Sequence, residues 1–154
     1  IEDAVEATKA AIEEGIVAGG GSELVRAGAK VASKKIAPLS LEIAHEFEVG
    51  VKLLLKSLEA PLRQIAINAG KDDGAVIVDK IKNGKGNEGY DANADKMVDD
   101  MFAVGIIDPV KVARTGLERA ASAAAILLTT EVAIADEPKE DKPAPMPDMG
   151  GMGY

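Results

Sequence analysis

The chain has 154 residues but no cysteine, no tryptophan and a single histidine, His45. Without thiols it can form neither a disulfide nor a thiolate metal site, and one histidine cannot build a histidine-rich zinc site. We therefore predict no metal site made by this chain alone. The absence of disulfides is compatible with a reducing cytosol. His45 itself is interpreted as a solvated residue on the surface of a helix.

Aromatic side chains make up only 3% of the chain, namely Phe47, Tyr90, Phe102 and Tyr154. Any core must therefore be built from alanine, valine, isoleucine and leucine, which let helices approach closely but do not line deep ligand cavities. The length allows one compact domain, or one compact part of something larger.

Positive charge is scarce as well, with 18 lysines and arginines against 26 aspartates and glutamates, which gives a net charge of −8. This balance argues against a nucleic-acid partner, because binding a phosphate backbone depends on clustered cations. The most apolar stretch, residues 120–128, has about half of the roughly 20 residues that a helix needs to span a bilayer. We predict no transmembrane segment, no signal peptide and no membrane partner.

Most of the chain shows helical periodicity. The spacing of apolar residues predicts helices over 3–16, from 22 onward, over 40–58, over 62–69 and from 109 to 128. Residues 73–82 fit either a strand or a helix, with a helix favoured. We also predict a short helix from Asn93 to Gly105 and a short terminal strand over 132–134. The expected fold class is mainly α with short β segments.

Two glycine-rich junctions interrupt these helices. The run Gly19–Gly20–Gly21 is either a plain hinge or a place where backbone approaches a ligand that a Cβ would repel, and the hinge is favoured on these grounds alone. Residues 84–89 match the spacing G-x-G-x-x-G of dinucleotide sites. Because no clear strand precedes them, a glycine-rich turn is the favoured interpretation.

Two aspartates stand at predicted helix starts. Asp3 begins the first helix and Asp108 precedes Pro109, so each is expected by default to cap its helix or to complement the helix dipole. The composition changes at residue 136, and residues 136–154 contain four prolines and three glycines together with five acidic residues. Too little can be buried there to offset the ordering entropy, so residues 136–154 are predicted to be a disordered tail.

Several motifs are far more specific together than singly. In chain order they are IEDAVEATKAAIEEGIVAGGG at 1–21, EAPLRQIAINAG at 59–70, GYDA at 89–92, GIIDPVKVAR at 105–114, AASAAAILLTTE at 120–131 and the closing MGGMGY. Across essentially the whole chain the sequence resembles the C-terminal third of a group I chaperonin of the GroEL type. One departure is that the segment 32–48 is several residues longer than in the bacterial prototype.

The resemblance implies a division of the chain into three parts. These are an intermediate-domain hinge helix at 1–14, the C-terminal half of the equatorial ATP-binding domain at 15–135, and a Gly/Met/Pro tail at 136–154. It also implies ATP and Mg²⁺ as ligands, held mostly by residues that this chain lacks, including the family's phosphate-cradling GDGTTT loop.

The resemblance further implies roles for individual residues. Asp3 would be catalytic, because it matches the hinge-helix aspartate that orients the water attacking the γ-phosphate. The nucleotide-binding positions would be Gly20, Asp91, Ala92, Asn93, Ile107 and Asp108. Within that set, Asp108 would accept hydrogen bonds from the ribose hydroxyls, and residues 91–93 would line the adenine, although the prototype has asparagine where this chain has Asp91. Arg63 and Asp72 match positions of ring-to-ring contacts.

The implied partners are identical subunits in a double ring of sevens, a GroES-type co-chaperonin and unfolded polypeptides. The function expected from the resemblance is ATP-dependent protein folding, with the bacterial cytoplasm as the first choice of location and mitochondrion or plastid kept open. The alternative hypothesis is that this chain alone is a non-catalytic helical domain for structure or oligomerisation.

Overall fold

A computed structural model describes residues 1–34, 36–38 and 40–137 of the chain. Its helices are α1 (Glu2–Glu14), α2 (Ser22–Ala32), α3 (Ala44–Ser57), α4 (Ala60–Asn68), α5 (Ala75–Asn83) and α6 (Val110–Thr129). Its strands are β1 (Ile16–Ala18), β2 (Gly89–Asp91), β3 (Lys96–Val98) and β4 (Ile107–Pro109). The predicted class, mainly α with short β segments, is confirmed.

The core lies where α2, α4 and α5 meet the strand β2. Its buried members are Val25, Leu62, Ala66, Ile77, Val78, Ile81 and Tyr90. Residues 73–82, which fit both a strand and a helix by sequence, fall mostly in the helix α5, and this helix buries one face at spacings of one and three residues, as an amphipathic helix does.

Pro61 falls in the first turn of α4, where its missing N–H costs no hydrogen bond. His45 is exposed on α3, as predicted.

The short helix predicted from Asn93 to Gly105 is wrong. In its place β2 and β3 form an antiparallel hairpin, with Tyr90 opposite Met97. The side chain of Asp91 explains the difference: its Oδ1 accepts the backbone N–H groups of Asn93 and Ala94, each at 3.0 Å. An aspartate that bonds the backbone two and three residues onward favours a turn over a helix.

The predicted capping role of Asp108 is also wrong. Asp108 lies in β4, where it pairs with Val17 of β1, and α6 begins two residues later with Pro109 as its N-cap and no side-chain cap. A backbone held in a strand ladder cannot also start the helix at that residue. The strand β1 was not predicted at all, since Ile16 was assigned to the end of the first helix.

The C-terminal part carries little buried surface. No residue of α6 is buried, and Ile126, Leu127 and Leu128 are exposed by 64%, 74% and 86%. Residues 131–137 are exposed and form no strand. The strand predicted over 132–134 is therefore absent from the described part of the chain. The tail prediction for 136–154 falls mostly on residues 138–154, which lie outside the described residues.

A buried carboxylate joins α4 to α5. Glu59 is 8% exposed, its Oε2 accepts hydrogen bonds from Nε and Nη2 of Arg63 at 3.2 and 3.0 Å, and its Oε1 pairs with Lys82. Burial by itself would raise the pKa of Glu59, but the hydrogen bonds from Lys82 and Arg63 outweigh it and hold that pKa below its ordinary value. The native state therefore favours the ionised form.

This arrangement predicts a pH-dependent effect of Glu59→Gln. A lowered native pKa contributes stability that is present above the unfolded pKa, about 4.3, and is lost as the pH falls through the native value. The variant should lose about 1–2 kcal/mol of unfolding free energy at pH 7 and progressively less below pH 4. Urea unfolding at pH 7 and at pH 3.5 measures this loss.

Glu6→Gln is the matched control, because Glu6 pairs with Lys9 at an exposed position of α1. Its unfolding free energy should change by less than about 0.5 kcal/mol. A loss for Glu59→Gln that is the same at pH 7 and pH 3.5 would contradict the role given to the ionised carboxylate.

Candidate functional site

A two-stranded ribbon brings distant parts of the chain together. β1 and β4 pair antiparallel with Ile16 opposite Pro109, Val17 opposite Asp108 and Ala18 opposite Ile107. Sequence favours this locally, because Gly15 ends α1 with a φ of 84° and is followed by two β-branched residues. The pairing continues past the strand, where Gly19 donates its N–H to the carbonyl of Ile106 at 3.0 Å. The glycine run therefore lies directly beside residues 106–108.

The glycine run is packed on several sides and is not an open hinge. A Cβ on Gly19 would lie 3.0 Å from the backbone nitrogen of Ile107, and one on Gly21 would lie 2.9 Å from that of Leu62. Gly20 and Gly21 have φ values of 65° and 75°, which side-chain-bearing residues rarely adopt. The run is therefore packed against the protein's own backbone, which does not fit the plain hinge favoured by the sequence, and the approach of a ligand stays a prediction.

A cavity of about 300 Å³ opens beside this run. Its walls come from β1, the glycine run, α2, α4, β4 and α6, and they comprise Val17, Ala18, Gly20, Gly21, Glu23, Leu24, Pro61, Ile65, Asp108, Val112 and Ala113. The volume is at the lower end for small-molecule sites, which suits one part of a ligand that has other contacts elsewhere. Two carboxylates, Glu23 and Asp108, stand among largely apolar walls. The structure thus brings the predicted residues Gly20 and Asp108 into one cavity.

Ile107 lies next to Asp108 in β4, is 42% exposed, and does not line this cavity. Residues 91–93 lie on the β2–β3 hairpin, which reaches the glycine run through Tyr90: a Cβ on Gly20 would lie 3.9 Å from the Tyr90 carbonyl oxygen. Ala92 is half-buried against the core and Asn93 is exposed. Oδ1 of Asp91 accepts the two backbone N–H groups of the turn, and none of residues 91–93 lines the cavity beside the glycine run.

The side chain of Met101 packs next to Gly20 of the glycine run and Gly89 of β2. It is fully buried, its Cε would lie 3.8 Å from a Cβ on Gly20, and a Cβ on Gly89 would overlap it. Its backbone N–H donates to the carbonyl of Asn87 at 2.9 Å, and its carbonyl accepts from Ile106 at 2.9 Å. Met101 therefore joins the hairpin to the start of β4. The helix predicted from Asn93 to Gly105 includes Met101, so its contacts with the glycine run and with β4 could not be predicted.

Asp3 lies away from the glycine run. It is exposed and borders a second cavity, between α1 and α6, that also includes Lys9, Thr115 and Arg119. Eleven residues of helix separate Asp3 from Glu14, about 16 Å at 1.5 Å per residue. The structure therefore does not bring Asp3 together with Gly20 and Asp108.

The C-terminal end of α1 is fixed to the start of α6 by ion pairs. Arg114 Nη2 lies 2.6 Å from Glu14 Oε1, and Lys111 pairs with Glu13. The hydrogen bond from Arg114 lowers the pKa of the Glu14 carboxyl, and the reciprocal bond raises the pKa of Arg114. These pairs hold the helix end that adjoins the cavity and leave the Asp3 end without such ties.

Arg63 and Asp72 lie at the corner between α4 and α5. Arg63 is half-buried against Glu59 and donates Nη1–H to the carbonyl of Asp73 at 3.3 Å, whereas Asp72 is exposed on the turn between the helices. Neither borders the cavity beside the glycine run.

Neither a cluster of metal ligands nor a membrane-spanning helix occurs among the described residues. In residues 1–34, 36–38 and 40–137 no group of three or more His, Cys, Asp or Glu side chains could hold a metal ion. None of the helices described combines the length and apolar character needed to cross a bilayer.

The model of the TCP-1/cpn60 chaperonin family matches residues 1–138. The matched part includes α1 with Asp3, the glycine run, the hairpin and β4.

Met101→Ala should weaken the whole site region. Truncating a fully buried methionine leaves a cavity, so we expect a loss of about 2–4 kcal/mol of unfolding free energy, measured by urea unfolding. Hydrogen exchange of the backbone amides of residues 19–21 should quicken, because Met101 lies beneath them.

Phe102→Ala is the control, since its side chain is 36% exposed. It should lose less than half as much unfolding free energy and leave amide exchange at 19–21 unchanged. Equal effects of the two substitutions would rule out a specific supporting role for Met101.

Proposed function

Because the chain belongs to the TCP-1/cpn60 chaperonin family, we propose that it works as part of an ATP-driven protein-folding subunit. A chaperonin role follows from the family itself. The finer statement, that this chain contributes one wall of an ATP site, rests on one observation: the cavity that joins the backbone of Gly20 to the carboxylate of Asp108.

The chemistry of this cavity suits a nucleoside. A carboxylate can accept two hydrogen bonds at once, so Asp108 can bind both hydroxyls of a ribose. The bare backbone at Gly20 lets the sugar–phosphate part approach without meeting a side chain. The hairpin tip, with Ala92 and Asn93, and the neighbouring Ile107 would lie against the base. The small volume of the cavity fits a site whose phosphate-binding half comes from residues outside this chain.

Mg²⁺ would serve to neutralise charge on the phosphates. We propose that the phosphates and residues outside this chain hold it, since the described residues lack a cluster of metal ligands. The groups that this chain supplies to the reaction are then Asp108 for binding and Asp3 for the attacking water.

Asp3 must move to take part. It is carried on α1, whose junction with β1 is Gly15, and a Cβ on Gly15 would have no atom within 4 Å. This open space allows α1 to tilt about Gly15 and bring the Asp3 carboxylate toward the cavity. Such a tilt would stretch the pairs of Glu13 and Glu14 with α6, so substrate binding must supply the energy to displace them.

Assembly is proposed from the exposed apolar surface. α6 buries no residue although alanine, leucine and isoleucine fill its second half, and large uncovered apolar patches mark interaction surfaces. We propose that neighbouring polypeptide covers this face in a double ring, with seven identical subunits in each ring, that works with a GroES-type co-chaperonin on unfolded polypeptides. Arg63 and Asp72 are the proposed ring-to-ring contacts.

The proposed division of the chain is a hinge helix at 1–14 followed by half an equatorial domain at 15–135. The proposed location is the cytoplasm.

Paired variants of the full-length ring test the proposed site. Asp108→Ala should weaken ATP binding about tenfold or more, because two hydrogen bonds to the ribose are lost. Asp3→Ala should leave ATP affinity within about twofold and reduce the rate of hydrolysis about 100-fold or more, as expected when a water-positioning group is removed. Calorimetry gives the affinity and phosphate release gives the rate.

Glu6→Ala is the control for Asp3→Ala, since Glu6 lies one turn further along the same exposed helix. Its hydrolysis rate should match the unsubstituted ring. Undiminished hydrolysis in Asp3→Ala would exclude the catalytic role, and undiminished ATP binding in Asp108→Ala would exclude the ribose contact.

A further inference from the structure

The turn of the β2–β3 hairpin, residues 91–95, is held by contacts that the functional assignments above do not use. Its tip carries Ala92 and Asn93, and its base adjoins Gly20 through the carbonyl of Tyr90. The position of this turn relative to the glycine run therefore sets the width of the space between them.

The ring of Tyr90 anchors the turn to the core. Tyr90 is 4% exposed and packs in the cluster of α2, α4 and α5 side chains. Its hydroxyl donates a hydrogen bond to Oδ1 of Asp95 at 2.8 Å, which spans the turn from one side to the other. Burial, together with this hydrogen bond to a carboxylate, raises the pKa of the Tyr90 hydroxyl, so it remains a donor.

Lys71 fixes the same carboxylate from the opposite side. Its Nζ lies 2.7 Å from Oδ1 and 2.8 Å from Oδ2 of Asp95. The backbone of Lys71 is itself held, because its N–H donates to the carbonyl of Ala66 at 3.0 Å at the end of α4. The hydrogen bond from Lys71, followed by that from Tyr90, lowers the pKa of Asp95, so the carboxylate stays ionised.

The backbone of Asp95 adopts a left-handed conformation. Its φ is 50°, and it is the one residue other than glycine with a positive φ among those described. Aspartate adopts this conformation more readily than most residues with a Cβ, because its short polar side chain can form local contacts. Here the two contacts to its own carboxylate hold it.

We propose that Tyr90, Asp95 and Lys71 are positioning residues, which hold the 91–95 turn at the distance from Gly20 that a nucleobase needs. This inference rests on the proposed nucleotide site. All three residues border a different cavity, of about 400 Å³, and none of them borders the cavity beside the glycine run. They act on recognition of the base, whereas binding of the phosphates depends on other parts of the site.

The test compares ATP with inorganic tripolyphosphate, which has the phosphates but no base or sugar, in the full-length ring. Tyr90→Phe removes only the hydroxyl, and Lys71→Met removes the ammonium group that contacts Asp95 while keeping an apolar side chain of similar length. Each should weaken ATP binding about three- to tenfold, as expected for one lost hydrogen bond, with tripolyphosphate binding unchanged. KM for ATP should rise by the same factor while kcat stays within about twofold. Lys71→Arg should restore ATP affinity, because a guanidinium can also donate to Asp95.

Lys52→Met is the matched control, since Lys52 pairs with Glu48 on an exposed face of α3. It should change neither affinity. Because Lys71 is partly exposed, Lys71→Met tests the inference even if Tyr90→Phe does not fold.

The possible outcomes separate the two proposals. Equal losses for ATP and tripolyphosphate would overturn the positioning role, since they would show a general loosening of the structure. Unchanged ATP affinity in both variants would also overturn it while leaving the nucleotide site intact. Failure of the unsubstituted ring to bind ATP would instead defeat the proposed site itself.

Discussion

The antiparallel pairing of β1 with β4 is the constraint on which the rest of the site depends. Three residues on each side place Val17 opposite Asp108, and the hydrogen bond from Gly19 to Ile106 extends the contact into the glycine run. A two-stranded ribbon this short is not stable alone. It is held at one end by the ion pairs between α1 and α6, and at the other by the close contact of Gly21 with Leu62. Backbone approach, rather than a large apolar core, therefore fixes where the predicted ligand-binding residues lie.

The helices could be predicted from the sequence because each carries a local signal. Periodic apolar residues indicate α3 and Pro61 indicates the start of α4, whereas the residues of α5 fit a strand as well as a helix, with the helix favoured. The strands could not be predicted in the same way. Each has only three residues, which is too short to show a periodic pattern, and its partner strand is either far away in the sequence or joined to it by a turn that was not predicted. Asp108 illustrates the problem: next to Pro109 it has the local pattern of a helix cap, and only its pairing with Val17 places it in a strand.

The candidate site shows a similar division. Gly20 and Asp108 were found through family resemblance, because spacing along the chain gives no reason to associate residues almost ninety positions apart, and the structure places both at one cavity. Glu23, which shares that cavity, and Met101, which supports it, were missed. A buried methionine inside a supposed helix gives no signal of its own until the hairpin is known. The contact of Lys71 with Asp95 likewise depends on a tertiary approach between two turns.

The ribbon between β1 and β4 has a consequence for the order of folding. Its two strands are separated by about 90 residues, so joining them closes a long loop whose entropy cost must be met before the contact forms. During synthesis, α1 and the glycine run emerge well before β4 and α6 can reach them. The edge of β1 therefore stays unpaired while the intervening helices are made, and an unpaired strand edge is a place where chains can associate wrongly.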